Sequence, residues 1–277
     1  MLKLSQRFRK SITIGLLAGA STVGAACGIS QQQEVQLGQQ YAAQLNQELP
    51  IVNDANVNQY ISALGNQIAR QGGRNLSYRF YVVNTDAVNA FAVPGGFVYV
   101  NRGLIDKASN MAELAGVMAH EIGHVESRHS VEQLERAQTA NAGLTLAYIL
   151  LGRAPSGVEE AAINVGGSLY FARYSREAEN EADASAINLL VNAGIHPRGL
   201  VTFFNKLMAD QSRQPSQLEA WFSTHPTTQE RVAATNAMIQ QVPQSRLSGL
   251  QTDSNAFQSM KQRLGRYQAP PPEYRVR

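Results

Sequence analysis

Met111-Ala112-Glu113-Leu114-Ala115-Gly116-Val117-Met118-Ala119-His120-Glu121-Ile122-Gly123-His124-Val125-Glu126 is the stretch on which the reading of this chain turns. Leu114, Ala115, Met118, Ile122 and Val125 recur at spacings of three and four residues, the period of a helix with a buried face. Asn110 and Glu113 supply an N-terminal capping box, so a helix is expected over residues 111–127. Residues four apart on such a helix lie about 40° apart around its axis. His120 and His124 therefore project from one face, away from the apolar stripe, and can grip one metal ion. Glu121 stands beside that ion, placed to take a proton from water. Gly116 and Gly123 flank the histidines where a solvated face would carry Lys or Glu, which points to close approach of something else, as in a cleft.

A hydrolytic zinc site takes three protein ligands and keeps one position open. With a single cysteine and five histidines in the chain, such a site must be built from nitrogen and oxygen. On a continuous helix His129 points about 180° away from His120, which makes it a solvated residue. A second helix is expected over residues 176–193, capped by Ser175 and stopped by Gly194. Ala178, Ala182, Ala186, Leu189, Leu190 and Ala193 define its buried face; Glu179 and Asp183 border that face, while Glu177 and Glu181 point almost oppositely. Acids beside a core face need partners. Glu179 is expected as the third ligand, and Asp183, one turn on, as the carboxylate that hydrogen-bonds a ligand histidine. Without the histidine motif the same two acids read as ordinary helix-surface charge.

These residues, with Ala182 before the aspartate and Ser223-Thr224-His225-Pro226 followed by Arg231, resemble metallopeptidase family forty-eight. That family comprises gluzincin-type zinc endopeptidases such as HtpX, the CAAX prenyl proteases and the BepA-like proteins. Asn89-Ala90-Phe91-Ala92-Val93-Pro94-Gly95-Gly96 is similar to the family as well, so the resemblance runs over residues 89–231. It implies an α+β, mostly helical domain with a small antiparallel sheet beside the active-site helix. Phe97, Val98, Tyr99 and Val100 would then form a sheet edge at the cleft, to which substrate adds as a strand. It also implies one zinc ion per chain, His225 as an extra, regulatory ligand and Arg231 lining the site. Taken alone, His225 before a proline reads as a helix-start cap and Arg231 as the partner of a surface acid. The several membrane spans of HtpX and the CAAX proteases have no counterpart in the sequence.

Residues 31–48 and 54–71 carry helical periodicity. Residues 78–83, 91–93 and 97–100 are strand-like around a Pro94-Gly95-Gly96 turn, and read as an antiparallel sheet. The apolar run at residues 143–151 is about half a membrane span and reads as a buried helix. Pro197 and Pro226 are expected to open two further helices. One peptidase domain thus covers residues 31–265, and the tail at 266–277, with Pro270-Pro271-Pro272, reads as disordered.

The formal charge of +3 is unevenly distributed. The only ionisable residues before position 27 are Lys3, Arg7, Arg9 and Lys10, ahead of an apolar run at residues 12–20, the layout of a secretory signal peptide over residues 1–26. Without them 20 basic residues face 21 acidic ones, a net charge of −1 that argues against a nucleic-acid partner. Cys27, followed by Gly28, resembles the lipid-modified cysteine of bacterial lipoproteins, while Gly24 and Ala26 equally suit ordinary cleavage. The expectation is an exported periplasmic or cell-envelope enzyme, possible membrane anchorage through Cys27, and unfolded or misfolded proteins as substrates. The competing expectation is a non-proteolytic envelope chaperone or assembly factor with a latent or structural zinc site. Glu121 favours the enzyme, because a structural site has no use for that carboxylate.

Overall fold

The computed structural model describes residues 28–140 and 174–276; the leader, Cys27 and the apolar run at 143–151 lie outside the described residues. In chain order the elements are α1 (Gln31–Glu48), α2 (Ala55–Ala69), β1 (Arg79–Val83), β2 (Ala90–Val93), β3 (Phe97–Asn101), α3 (Arg102–Lys107), α4 (Met111–Glu126) and α5 (His129–Ala140). After the gap follow α6 (Arg176–Asn192), α7 (Arg198–Asp210), α8 (Pro215–Thr224), α9 (Gln229–Gln240), α10 (Gln244–Leu247) and α11 (Asn255–Gly265), then a 3-10 turn at Pro272–Tyr274. The fold is mostly helical with a small sheet, as expected.

Helix α4 is the axis of the domain. Asn110 Oδ1 accepts the Glu113 N–H at 3.0 Å, while the Glu113 carboxylate reaches past Asn110 to the Ser109 N–H at 2.7 Å, so the capping box closes one residue early. Every residue from Met111 to Val125 is buried, because α2, β2 and β3 pack on one side and α6 and α7 on the other. What approaches the two glycines is a pair of helices. A Cβ on Gly116 would stand 2.8 Å from Leu200 Cα in α7, and one on Gly123 would stand 2.8 Å from the Ala182 carbonyl oxygen in α6.

The sheet has the order β1-β3-β2 and corrects two expectations. It is mixed: β2 pairs antiparallel with β3, but β1 pairs parallel with it, Arg79 opposite Phe97. Phe97, Val98, Tyr99 and Val100 therefore lie in the central strand, bonded on both sides, and offer no edge. Among the described residues the edge strand beside α4 is β2. The turn that carries Gly95 at φ 82 and Gly96 at φ 90 specifies the β2–β3 hairpin alone. Nothing local to β1 specifies its partner. Side chains alternate between two cores: Val98 and Val100 face α2 and α4, while Phe97 and Tyr99 face α1. Tyr99 stacks on Phe91 at 4.8 Å and Tyr81 at 4.9 Å between ring centroids.

Residues beyond α11 are docked, where disorder was expected. Gln268 O accepts from Arg102 Nη1 at 2.9 Å, Tyr274 O accepts from Thr85 Oγ1 at 2.7 Å, and the Val276 N–H donates to Asp86 Oδ1 at 2.6 Å. Prolines lack the N–H but keep the carbonyl, so a stiff proline strap can still accept: Pro270 O binds Arg275 Nε at 2.7 Å. Pro226 also departs from expectation, since α9 starts at Gln229 under a Thr228 cap, and the first-turn proline is Pro215 in α8. Pro197 stands at the start of α7, but as its cap rather than in its first turn.

Between α4 and α5 the helix breaks. Arg128 takes φ 59, a left-handed conformation that costs roughly 1–2 kcal/mol in a non-glycine residue. Its guanidinium is held by Glu34 Oε2 at 3.0 Å and by the Ile29 carbonyl. Glu34, itself buried, forms a two-point bridge to Arg74 at 2.9 and 2.7 Å. Burial works against its charge, but Arg74 and Arg128 prevail and hold its carboxyl below the ordinary range. That network pins α1 to the α4–α5 corner.

Candidate metal centre

Four elements deliver the site. Helix α4 carries His120, Glu121 and His124, and α6 carries Glu179 and Asp183. The residue that closes α8 is His225, and α9 supplies Arg231. His225 is fixed by its own N–H to the Trp221 carbonyl at 2.7 Å, while the Trp221 indole N–H is satisfied by Thr227 Oγ1 at 3.0 Å. All of these site residues are buried.

His120, His124, Glu179 and His225 turn one ligand atom each towards a common point, all within 4.8 Å of one another. His120 Nε2 lies 3.1 Å from His124 Nε2, 3.3 Å from His225 Nδ1 and 3.6 Å from Glu179 Oε2. Glu179 Oε1 is 3.5 Å from His124 Nε2 and 3.0 Å from His225 Nδ1. A tetrahedron with bonds of about 2.0–2.1 Å has edges of roughly 3.3 Å, close to the separations of His120 from His124 and His225, while Glu179 faces the three rings with both of its oxygens. Protonation states suit it as well. Burial lowers both α4 imidazole pKa values, against the pull of Asp183 on His120 and of Glu179 on His124, which leaves neutral rings with free lone pairs. Burial opposes ionisation of Glu179, but the surrounding His225, His124 and Arg231 win and keep it a carboxylate. Three imidazoles and one carboxylate form a donor set for a borderline metal.

Behind the donors, Asp183 Oδ1 sits 2.8 Å from His120 Nδ1 and orients that ring. Arg231 grips Asp183 from Nε and Nη2 at 2.8 Å each, with Nη1 against Glu179 Oε2, and Thr235 Oγ1 adds a bond to Asp183 at 3.0 Å. Burial would raise the Asp183 pKa, yet Arg231 and His120 bring it down to about 2. The acid that partners Arg231 is thus buried rather than on the surface.

Glu121 differs from the other acids. Among the described residues its Oε1 makes no hydrogen bond, and it stands 3.4 Å from His225 Nε2. Burial, reinforced by the charge of Glu179, pushes its pKa up to about 7 against His225, Arg231 and the Ala92 N–H of β2. A carboxyl poised near neutrality can both take and give a proton.

Two neighbours of His124 escaped sequence reasoning. His129, read as solvated, is buried with Nδ1 2.8 Å from His124 Nδ1, because the left-handed Arg128 ends α4 and folds the chain back. Tyr174 stacks on His124 at 3.9 Å between centroids, its hydroxyl 2.8 Å from Ser130 Oγ. Nothing in the local sequence marks Tyr174, since the contact depends on where α6 begins.

The α4–α6 contact makes Gly123 a sensitive position. Gly123→Ala must push the Ala182 backbone away and displace Glu179 one turn earlier on α6. The expected result is destabilisation of about 1–3 kcal/mol, with weakened metal affinity in calorimetric titration.

The protein-family comparison matches the description "Peptidase family M48" over residues 55–239. The chain is 34% identical over 243 residues to the beta-barrel assembly-enhancing protease of Escherichia coli (strain K12), covering 80% of this chain and 49% of that protein. It is 33% identical over 242 residues to a putative beta-barrel assembly-enhancing protease of Vibrio cholerae, covering 85% of this chain and 48% of that protein. The match to metalloprotease LoiP of Escherichia coli (strain K12) is 34% over 171 residues, 61% of this chain and 64% of that protein. The chain spans about half the length of the first two of these relatives. The family match runs from α2 to α9 and takes in every residue of the candidate metal centre, and on that evidence the chain belongs to peptidase family M48.

Proposed function

We propose that the chain is a zinc-dependent metalloendopeptidase that cleaves unfolded or misassembled proteins in the cell envelope. The observation that carries this reading is the unbonded Glu121 oxygen at the edge of four convergent donors. His120, His124 and Glu179 would hold the ion. Zinc bound there supplies Lewis acidity, acidifying water and polarising the scissile carbonyl. Glu121 accepts the proton of the attacking water and returns it to the leaving amine. Asp183 holds His120 in register, and Arg231 keeps both carboxylates ionised. Among the described residues β2 is the edge strand beside α4, and there an extended substrate would add as a strand, a mode that selects unfolded chains.

Support for a quality-control role comes from the beta-barrel assembly-enhancing relatives. Among the described residues no helix is long and apolar enough to cross a membrane, so residence in the envelope would rest on the leader and, if it is lipidated, on Cys27. His225 is one donor too many for a hydrolytic site, which needs an open position. With His225 in place the enzyme is latent, and that same feature is what favours the competing reading of a non-proteolytic assembly factor. His225→Ala separates the two. The variant is expected to keep one zinc per chain and to cleave casein several-fold faster than wild type. A zinc-loaded variant with no cleavage of any unfolded polypeptide would favour the assembly factor.

A further inference from the structure

We propose that His129 is a positioning residue for the metal centre, the middle member of a Glu181–His129–His124 hydrogen-bond chain that fixes the tautomer and ring plane of His124. This rests on the metal-site reading above. His124 Nε2 faces the other donors, 3.1 Å from His120 Nε2, so its remaining ring nitrogen, Nδ1, must carry the proton. That N–H meets His129 Nδ1 at 2.8 Å, which therefore accepts. His129 is left as the Nε2–H tautomer, and its Nε2 points at Glu181 Oε2, 3.4 Å away. Both nitrogens of a buried ring are thus given opposite and complementary roles. Glu181, mostly exposed, sits outermost and gives the chain its direction.

The two α4 histidines are oriented by different means. His120 meets a carboxylate directly, Asp183 at 2.8 Å, whereas His124 meets one only through an imidazole. The corner that makes the second arrangement possible is costly to form. Arg128 at φ 59 reverses the chain between His124 and His129, and its side chain is tied to Glu34 in α1. On an uninterrupted helix His129 would stand about 140° around the axis from His124, out of reach. Tyr174, stacked against the His124 ring, holds the same ring plane from another side.

The test compares His129→Leu, which fills the space without an acceptor, with His129→Asn, whose Oδ1 can stand where Nδ1 stands and accept the same proton. Zinc affinity is read by competition with a chromophoric chelator, and the thermal midpoint of each metal-free variant is recorded separately. His129→Leu is expected to bind zinc about 10–100-fold more weakly, and His129→Asn to stay within about threefold of wild type. Affinity in His129→Leu equal to wild type, or an equal loss in both variants, would overturn the proposal and reduce His129 to packing. Should His129→Leu fail to fold, two readouts remain decisive: the affinity of His129→Asn, and nitrogen-15 correlation spectra of the zinc-loaded wild type. Those spectra should show His129 as the Nε2–H tautomer; the Nδ1–H tautomer would overturn the chain. A wild type that binds no zinc sinks the metal-site reading itself, whereas a zinc-loaded wild type with an unaffected His129→Leu sinks only this inference.

Discussion

Glu121→Gln is expected to retain one zinc ion per chain and to lose casein cleavage by about 10²–10⁴-fold, the range for removal of a general base. Metal retention is expected because Glu121 is outside the set of four converging donors and meets them only through the 3.4 Å approach of its Oε1 to His225 Nε2. The amide is nearly the same size, so the buried position tolerates it. What it cannot do is accept the proton of water and release it to the leaving amine. Elemental analysis alongside the cleavage assay separates these effects. Full activity in a zinc-loaded Glu121→Gln variant would remove this residue from the mechanism.

Arg231→Met should produce the largest loss of stability. The guanidinium bridges Asp183 and Glu179, and none of the three is more than slightly exposed. Its removal leaves two carboxylates facing each other in the interior, and breaking a buried pair on one side costs about 3–5 kcal/mol. In a chain of this size that corresponds to a fall in melting temperature on the order of 10 °C. Zinc should restore part of it, because a cation beside Glu179 compensates part of the missing charge. Thermal melts of both proteins with and without zinc measure this. A shift below about 1 kcal/mol would mean that water or rearrangement satisfies the acids.

How far the sequence anticipates this site depends on how local each signal is. The α4 motif is visible because three of its functional residues share one turn of one helix, and period alone fixes their directions. Glu179 and Asp183 follow from the apolar face of α6, since an acid that borders a core must find a partner there. His225 and Arg231 are different, because their own neighbourhoods suit a cap and a surface charge. Only the family resemblance brought them to the metal, and tertiary packing of α8 and α9 is what places them. His129 departs from its helical angle for a definite reason: that angle holds only for a helix that runs on, and a left-handed arginine held by a residue 94 positions away breaks it. The sheet departs from expectation in the same manner. A glycine turn fixes the β2–β3 hairpin, but the parallel partner of β1 is set by tertiary packing, with α2 as the helix it lies against.

Zinc content of the purified, folded chain, with His124→Ala beside wild type, bears most directly on the metal centre. Wild type is expected to carry one ion per chain and His124→Ala to lose it while keeping its helical content. A folded wild type that takes up no zinc, or a His124→Ala variant that holds it as tightly, would contradict the assignment of His120, His124 and Glu179 as a metal-binding set.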